Sequence, residues 1–568
     1  MSDRSNDTMS NLMPFANKKN KNTIPHSAAQ ARSWVNDLPL TNMGEVTKSL
    51  YKTLIALNQQ PLPAQVRIDI GDVLLPFVNM SLDNLDRHFS TRSFPLLDRS
   101  QKVFNLKQAL QLELAGLYQL ATVDMLTKGP LVAKKLLISI GRAIKYMNGT
   151  LINSYSIYNK NKANVWHDIH QLYLFACENN IQSQIIPDKS DAQAEKLSIE
   201  EHYLFVHLIA LSIPNSLRQG EIGRLEKFYK HVISQVKIVE NTDNITSEYA
   251  HIALLNSDEP AALMPVSDIV SSATSRIIDT SDIIKILNDF IEETAKTPLG
   301  LHKDYPMLNH GLAKRLTYVM THARSRKHKR FERDDKAGLV IRLKDVIEVV
   351  RCTQTDSVVL ENAKEDEVYD QLNFGETVAS PWSDLGIETL EEDHDVEIQT
   401  WKIKNSSSSG YGLCQHEKEA TSARIGEIVG IKDPADDSDQ WQILVIRWMD
   451  YYRGKKGLCL GAELLSPKAM SIRIDAVENR EITQTLPVEG LFLPSIEGIR
   501  EDPNLILPGH MFKVEDILTL QFSAREEKIQ IIKIDECVGV FAYCSFKIVK
   551  SVQTEDSDDD FDEVWDFI

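Results

Sequence analysis

A chain of 568 residues is too long for one hydrophobic core, because cores stop growing at roughly 250–300 residues, so two or three domains are expected. Its 42% hydrophobic and 25% charged residues exclude bulk disorder. The net charge of -18 excludes a general binder of nucleic acid or anionic membrane, which needs a positive field, so any phosphate site must be local.

Six cysteines, Cys177, Cys352, Cys414, Cys459, Cys537 and Cys544, lie apart with no C-x-x-C pair and no His/Cys cluster at metal spacing. That usage reads as free thiols in a reducing compartment. The opening MSDRSNDTMSNLMPFANKKNKN lacks the apolar stretch of a signal peptide, and no later run approaches the roughly 20 apolar residues of a membrane span. The expectation is a cytoplasmic protein with no membrane span.

In chain order, residues 1–28 are polar and aperiodic and read as a disordered leader. Asn42 and Glu45 have the spacing of a capping pair, and Val46, Leu50, Leu54 and Leu57 form one apolar face behind them. Pro61 and Pro63 end that helix. Leu106, Leu110, Leu114, Leu117 and Ala121 repeat the period, as do segments 131–147, 163–178, 199–213 and 220–235. In 248–265 the period weakens, which leaves room for a strand or hairpin before helices resume at 281–295 and 307–322. Residues 29–322 therefore read as a helical bundle or a stack of hairpins.

After position 335 the period changes from 3.6 to 2, which marks a domain boundary. Residues 441–448 alternate on two apolar faces, as a strand buried on both sides does, and residues 457–467 supply its hairpin partner. Leu518, Leu520 and Phe522, then Val538 to Ile548 in period 2, predict a further small β region over 476–552. The acidic stretch 353–397 reads as an insert or mobile loop. The tail after Gln553, with eight acidic residues and no basic one, reads as disordered, or as a docking peptide for a protein partner or an autoinhibitor. The fold class is thus α+β multidomain: helices first, then antiparallel β.

Two elements carry candidate chemistry. Between Arg324 and Arg333 stand six Lys or Arg against one Glu, a local anomaly in an acidic chain. Arginine's planar fork pairs with phosphate oxygens in two places and stacks on purines, although the same run would serve as a solvated linker. The second element is Trp401 to Cys414, in which Asn405, Ser407 and Gly410 stand at N-x-S-x-x-G spacing after an apparent strand. Asn405 offers a base-edge amide, Ser407 a hydroxyl, and Gly410 a close backbone approach, while a plain Ser-rich loop is the bland reading.

Taken together, the two elements resemble the PilZ family of bacterial cyclic di-GMP receptors, in which an R-x-x-x-R segment precedes a β-barrel carrying a (D/N)-x-S-x-x-G turn. Arg326 to Arg330 matches the first motif and Asn405 to Gly410 the second, with IGEIVGI, WQILVIRW and GLCLGAELLSP following as the barrel. A second frame, Lys329 to Arg333, also fits the arginine spacing. The resemblance implies a PilZ-like barrel over 323–475 and a receptor that couples cyclic di-GMP to a helical protein-interaction domain. Its implied ligand residues are Arg326, Arg330, Arg333, Asn405, Ser407 and Gly410, with no metal and an unidentified protein partner. The alternative is a degenerate barrel that serves as a scaffold without nucleotide.

No phosphate-binding glycine loop, nucleophile elbow or zinc-protease motif occurs, so no enzyme is expected. His167 and His170 have the i, i+3 spacing of a metal pair but lack a third ligand, so ordinary histidines are the expectation.

Overall fold

Residue by residue, the computed structural model describes 24–549 except 89–94, 129–132, 189–195, 240–246, 269–273, 296–301, 323–327, 366–395, 416–420, 437–439, 453–456, 479–486, 497–499, 510, 523–525 and 538–539. Contacts divide the chain into two compact units: 1–326 with 417–421 and 450–458, and 327–416 with 422–449 and 459–568.

In the first unit, α1 (Ala28–Asn36) opens behind Ser27, whose hydroxyl accepts the Gln30 N–H, so helix begins at the last residue assigned to the leader. Residues 1–23 and the acidic tail from 550 lie outside the described residues. The helix α2 (Met43–Asn58) is capped by Asn42 through the Glu45 N–H, and Val46, Leu50, Leu54 and Leu57 are buried as their spacing requires. Helices α3 (Ala64–Asp86), α4 (Asp98–Lys128), α5 (Ala133–Ser156), α6 (Val165–Glu178) and α7 (Ile199–Leu211) share one apolar core with it. A Ser198/Glu201 capping box starts α7.

A second core lies under α8 (Glu221–Val232), α9 (Ser281–Thr294) and α10 (His310–Thr321). Strands β1 (Lys237–Val239), β2 (Tyr249–Leu254), β3 (Ala262–Pro265) and β4 (Ser275–Asp279) form an antiparallel sheet in the order β1-β4-β2-β3. The weakened stretch 248–265 is therefore the β2–β3 hairpin, with Ile252 opposite Ala262.

His170 is a core histidine. Its Nδ1 lies 2.8 Å from the Tyr203 hydroxyl and its Nε2 2.9 Å from the Glu259 carbonyl. Burial pushes its pKa down to about 4 and keeps the ring neutral. Among the described residues no group of three or more His, Cys, Asp or Glu is placed to hold a metal ion, and no helix is long and apolar enough to cross a membrane.

The second unit begins with β5 (Phe331–Glu332) and β6 (Lys336–Ile341), followed by a helix the sequence reading missed, α11 (Leu343–Glu365). The acidic stretch 353–397 is thus no loop at its start, since residues 353–365 continue α11. Leu343, Val346, Ile347 and Val350 are buried at helical spacing, a period of four residues too short to stand out in a region read as strand. Then come β7 (Gln399–Ser407), β8 (Gly410–Gln415), β9 (Ile428–Lys432), β10 (Gln442–Tyr452) and β11 (Gly457–Ser466). The sheet order is β5-β7-β6-β9-β10-β11-β8, and a β7–β8 pairing closes it on itself.

A disulfide joins Cys414 on β8 to Cys459 on the neighbouring β11, with Cα atoms 4.1 Å apart. The reading of all six cysteines as free thiols is corrected here. The two are separated by 45 residues, and only strand pairing brings them together.

The last six strands, β12 (Met470–Val477), β13 (Val488–Leu493), β14 (Asn504–Pro508), β15 (Ile517–Gln521), β16 (Glu526–Cys537) and β17 (Phe541–Ile548), close a barrel in the order β12-β13-β14-β17-β16-β15. Its first strand starts at Met470, inside the stretch assigned to the preceding domain. The run read as one strand from Val538 begins instead at Phe541, after β16 has ended. Helix α11 packs Val346, Ile347 and Val350 into a core shared by Ile443 and Val445 of β10, Leu491 of β13, Ile506 of β14 and Phe541 of β17. Arg447 of β10 is held by Glu536 of β16 through 2.7 and 2.9 Å bonds.

Candidate ligand site

The N-x-S-x-x-G motif forms a hairpin. Strands β7 and β8 are joined by Ser408 and Ser409, with Ser407 opposite Gly410. The register slips by one residue between Ile403 and Asn405, so Lys404 is bulged out and exposed. A bulge re-aims the side chains that follow it. Trp401 and Ile403 are fully buried, while Asn405 comes to lie over Gly412. A Cβ on Gly412 would stand 2.8 Å from Asn405 Oδ1, so glycine there leaves the amide its space.

Ser407 Oγ lies 3.2 Å from Ser409 Oγ and donates to the Gly410 carbonyl at 3.3 Å, which stiffens the turn. Gly410 sits at φ +146° with its Cα pressed on β11, since a Cβ would lie 2.1 Å from the Ala462 carbonyl oxygen. The Leu464 N–H donates to the Ser409 carbonyl at 2.9 Å and ties the hairpin tip to β11.

The described end of the basic run, residues 328–333, about seventy residues earlier in the chain, lies against this hairpin. Phe331 pairs with Ser406 and Glu332 with Asn405 as β5 joins the edge of β7. The Arg333 N–H donates to the Lys404 carbonyl at 3.0 Å, and His328 Nδ1 lies 3.1 Å from Ser408 Oγ. Lys329 and Arg330 are exposed, and Arg330 has no ion-pair partner among the described residues. Lys329 Nζ stands 5.9 Å from the centroid of the Phe331 ring, itself 61% exposed.

Of the residues singled out in the sequence, Arg330, Asn405, Ser407 and Gly410 meet at this edge. Arg326 lies outside the described residues. Arg333 is turned inward. It donates from Nε to Asp335 at 2.9 Å, and from Nη1 and Nη2 to the two oxygens of Asp433 at 2.7 and 2.6 Å, with a further Nη2 bond to Asp335. The Tyr411 hydroxyl lies 2.8 Å from Asp433 Oδ2 and 2.9 Å from Gln442 Oε1. Burial pushes the Asp433 carboxyl up, but hydrogen bonds from Arg333, the Ala435 N–H and Tyr411 outweigh it and hold the group below its ordinary value. Asp433, Tyr411 and Gln442 were invisible to sequence reading because they follow Arg333 by about eighty to a hundred and ten positions with no spacing signal. The Asp-Pro turn after an apolar strand was their only mark.

Three segments match described families: 29–243 the N-terminal domain of the cyclic-di-GMP receptor FimW, 353–470 its middle PilZ domain, and 476–549 its C-terminal β-barrel domain. The basic run, β5 and β6 fall between the first and second matches. The chain is 23% identical to the cyclic-di-GMP receptor FimW of Pseudomonas aeruginosa, an alignment that covers 97% of this chain and 98% of that protein. No solved structure matches.

Proposed function

We propose, on the premise that this chain belongs to the PilZ-domain family with the three-part layout of its matched segments, that it is a cyclic di-GMP receptor. The observation that carries this is the pairing of β5 with β7, which lays exposed Lys329 and Arg330 beside a stiff turn carrying Asn405 and Ser407. Such an edge suits a ligand with two phosphates and two guanines. The cations take the phosphate oxygens and the Asn405 amide a base edge, while Gly410, packed on β11, holds the turn that presents them.

Arg326, Arg330, Asn405, Ser407 and Gly410 form the proposed ligand set, with no metal involved. The protein works by binding rather than catalysis, in the cytoplasm where this nucleotide acts, and passes its state to a protein partner through the helical domain or the acidic tail. Calorimetric titration of the purified protein tests the reading. Micromolar or tighter binding is expected, and no heat at tens of micromolar ligand refutes it. Arg330→Ala should weaken binding more than Lys327→Ala, because only arginine both chelates phosphate and stacks. Equal losses would reduce the run to diffuse positive charge.

A further inference from the structure

We propose that Arg333 does not touch the ligand but positions Lys329 and Arg330, and that Asp433, seconded by Tyr411, is the residue that holds it there. A guanidinium has five N–H donors. Four of those on Arg333 already go to Asp433 and Asp335. The one left is too few for two-point capture of a phosphate. Asp433 is equally committed: Oδ1 accepts from Arg333 and from the Ala435 N–H at 3.0 Å, and Oδ2 accepts from Arg333 and Tyr411. Its side chain is only 6% exposed, and a buried carboxylate is tolerated where such bonds are complete.

The clamp acts on backbone. Arg333 follows β5 directly, and its own N–H is bonded to the Lys404 carbonyl while the Ile403 N–H is bonded to the Asp335 carbonyl at 2.8 Å. Between Arg333 and Asp433 the side chains therefore pin β5 to the sheet at the point where the chain turns into β6. With β5 pinned, Lys329 and Arg330 lie beside Ser408. Without the clamp, two residues of edge strand have little to hold them, since so short a pairing cannot offset its own ordering entropy.

The affinity part of the test rests on the cyclic di-GMP reading; the exchange part does not. Asp433→Asn in the full chain removes a negative charge near an anion site. A carboxylate that is a mere bystander predicts tighter binding in this variant, whereas a clamp predicts about tenfold weaker binding. Amide exchange over 331–336 should accelerate at least severalfold without ligand, and Tyr411→Phe should produce a smaller acceleration in the same amides. The swapped pair Arg333→Asp with Asp433→Arg should restore both protection and affinity. Tighter binding in Asp433→Asn overturns the proposal, as does unchanged exchange in it. A swapped pair that regains protection but not affinity also overturns it, because Arg333 would then be a ligand contact. If the unaltered protein does not bind cyclic di-GMP, the receptor reading falls and the exchange result alone decides the clamp.

Discussion

Replacing Gly410 by alanine should break the hairpin that carries the candidate ligand turn. The added Cβ would stand 2.1 Å from the Ala462 carbonyl oxygen and 3.0 Å from Glu463 Cα, both backbone atoms of β11, so no side chain can swing aside. Relief needs a separation of about 1 Å between two paired strands, and overpacking of this kind costs about 1–3 kcal/mol. Gly410 also sits at φ +146°, where an L side chain adds about 1–3 kcal/mol of strain. The sum, about 2–6 kcal/mol, is a large share of an ordinary domain's stability of about 5–15 kcal/mol. The Leu464 N–H to Ser409 carbonyl bond should be the first lost. Amide exchange over 405–415 and the denaturant midpoint of the transition that exposes β8 report the effect, with Gly223→Ala as the control. Gly223 lies exposed in α8 with no atom within 4 Å of the added methyl, so its replacement should stabilise by about 0.5–1 kcal/mol. Unchanged protection of 410–415 in Gly410→Ala, with an unmoved midpoint, would refute the close-approach argument.

Gly412→Ala should act differently, because the three atoms nearest its Cβ all belong to the side chain of Asn405. The amide can rotate away, so the midpoint should move by less than about 1 kcal/mol while cyclic di-GMP affinity falls about tenfold, or about 1.4 kcal/mol; unaltered affinity by calorimetry would remove Asn405 from the site. The helical unit should lose stability on acidification. Burial holds His170 and His251 at about 4 and His202 at about 3. With folded values below the unfolded one, their contribution is present above about pH 6.5 and is lost as pH falls toward 4, at about 1.4 kcal/mol per unit per group. Asp168, pushed up by burial to about 6, and Glu113, also raised by burial, work in the opposite sense, but His207 and His310, both lowered by burial, join the other three histidines, so two groups stand against five. Thermal melts that stay flat from pH 7 to 4.5 would contradict this balance. Asp258→Ala should cost about 1–2 kcal/mol, because Asp258 caps α6 from 94 residues away, accepting the Asn164 N–H at 2.6 Å and the His167 N–H at 3.1 Å. Asp258→Asn should lose less, and equal melts for all three proteins would exclude the cap.

Much of the architecture was legible because it is local. The Asn42 cap and the Leu50, Leu54, Leu57 stripe depend on residues within a turn or two of one another, as does the two-residue turn of Asn405 to Gly410. The change of period after 335 likewise announced a β region, although it concealed α11, whose buried stripe from Leu343 to Val350 is only two turns long. What folding alone decided are pairings between distant positions. Phe331 lies beside Ser406, Arg333 grips Asp433, and Cys414 meets Cys459. No period or spacing encodes which strand will neighbour which, since any of several edges would satisfy the same backbone donors and acceptors. The residue types of the candidate site could thus be proposed from sequence. Which arginine faces outward and which is taken up by internal carboxylates depended on the sheet order that brings Asp433 of the chain after β9 beneath β5.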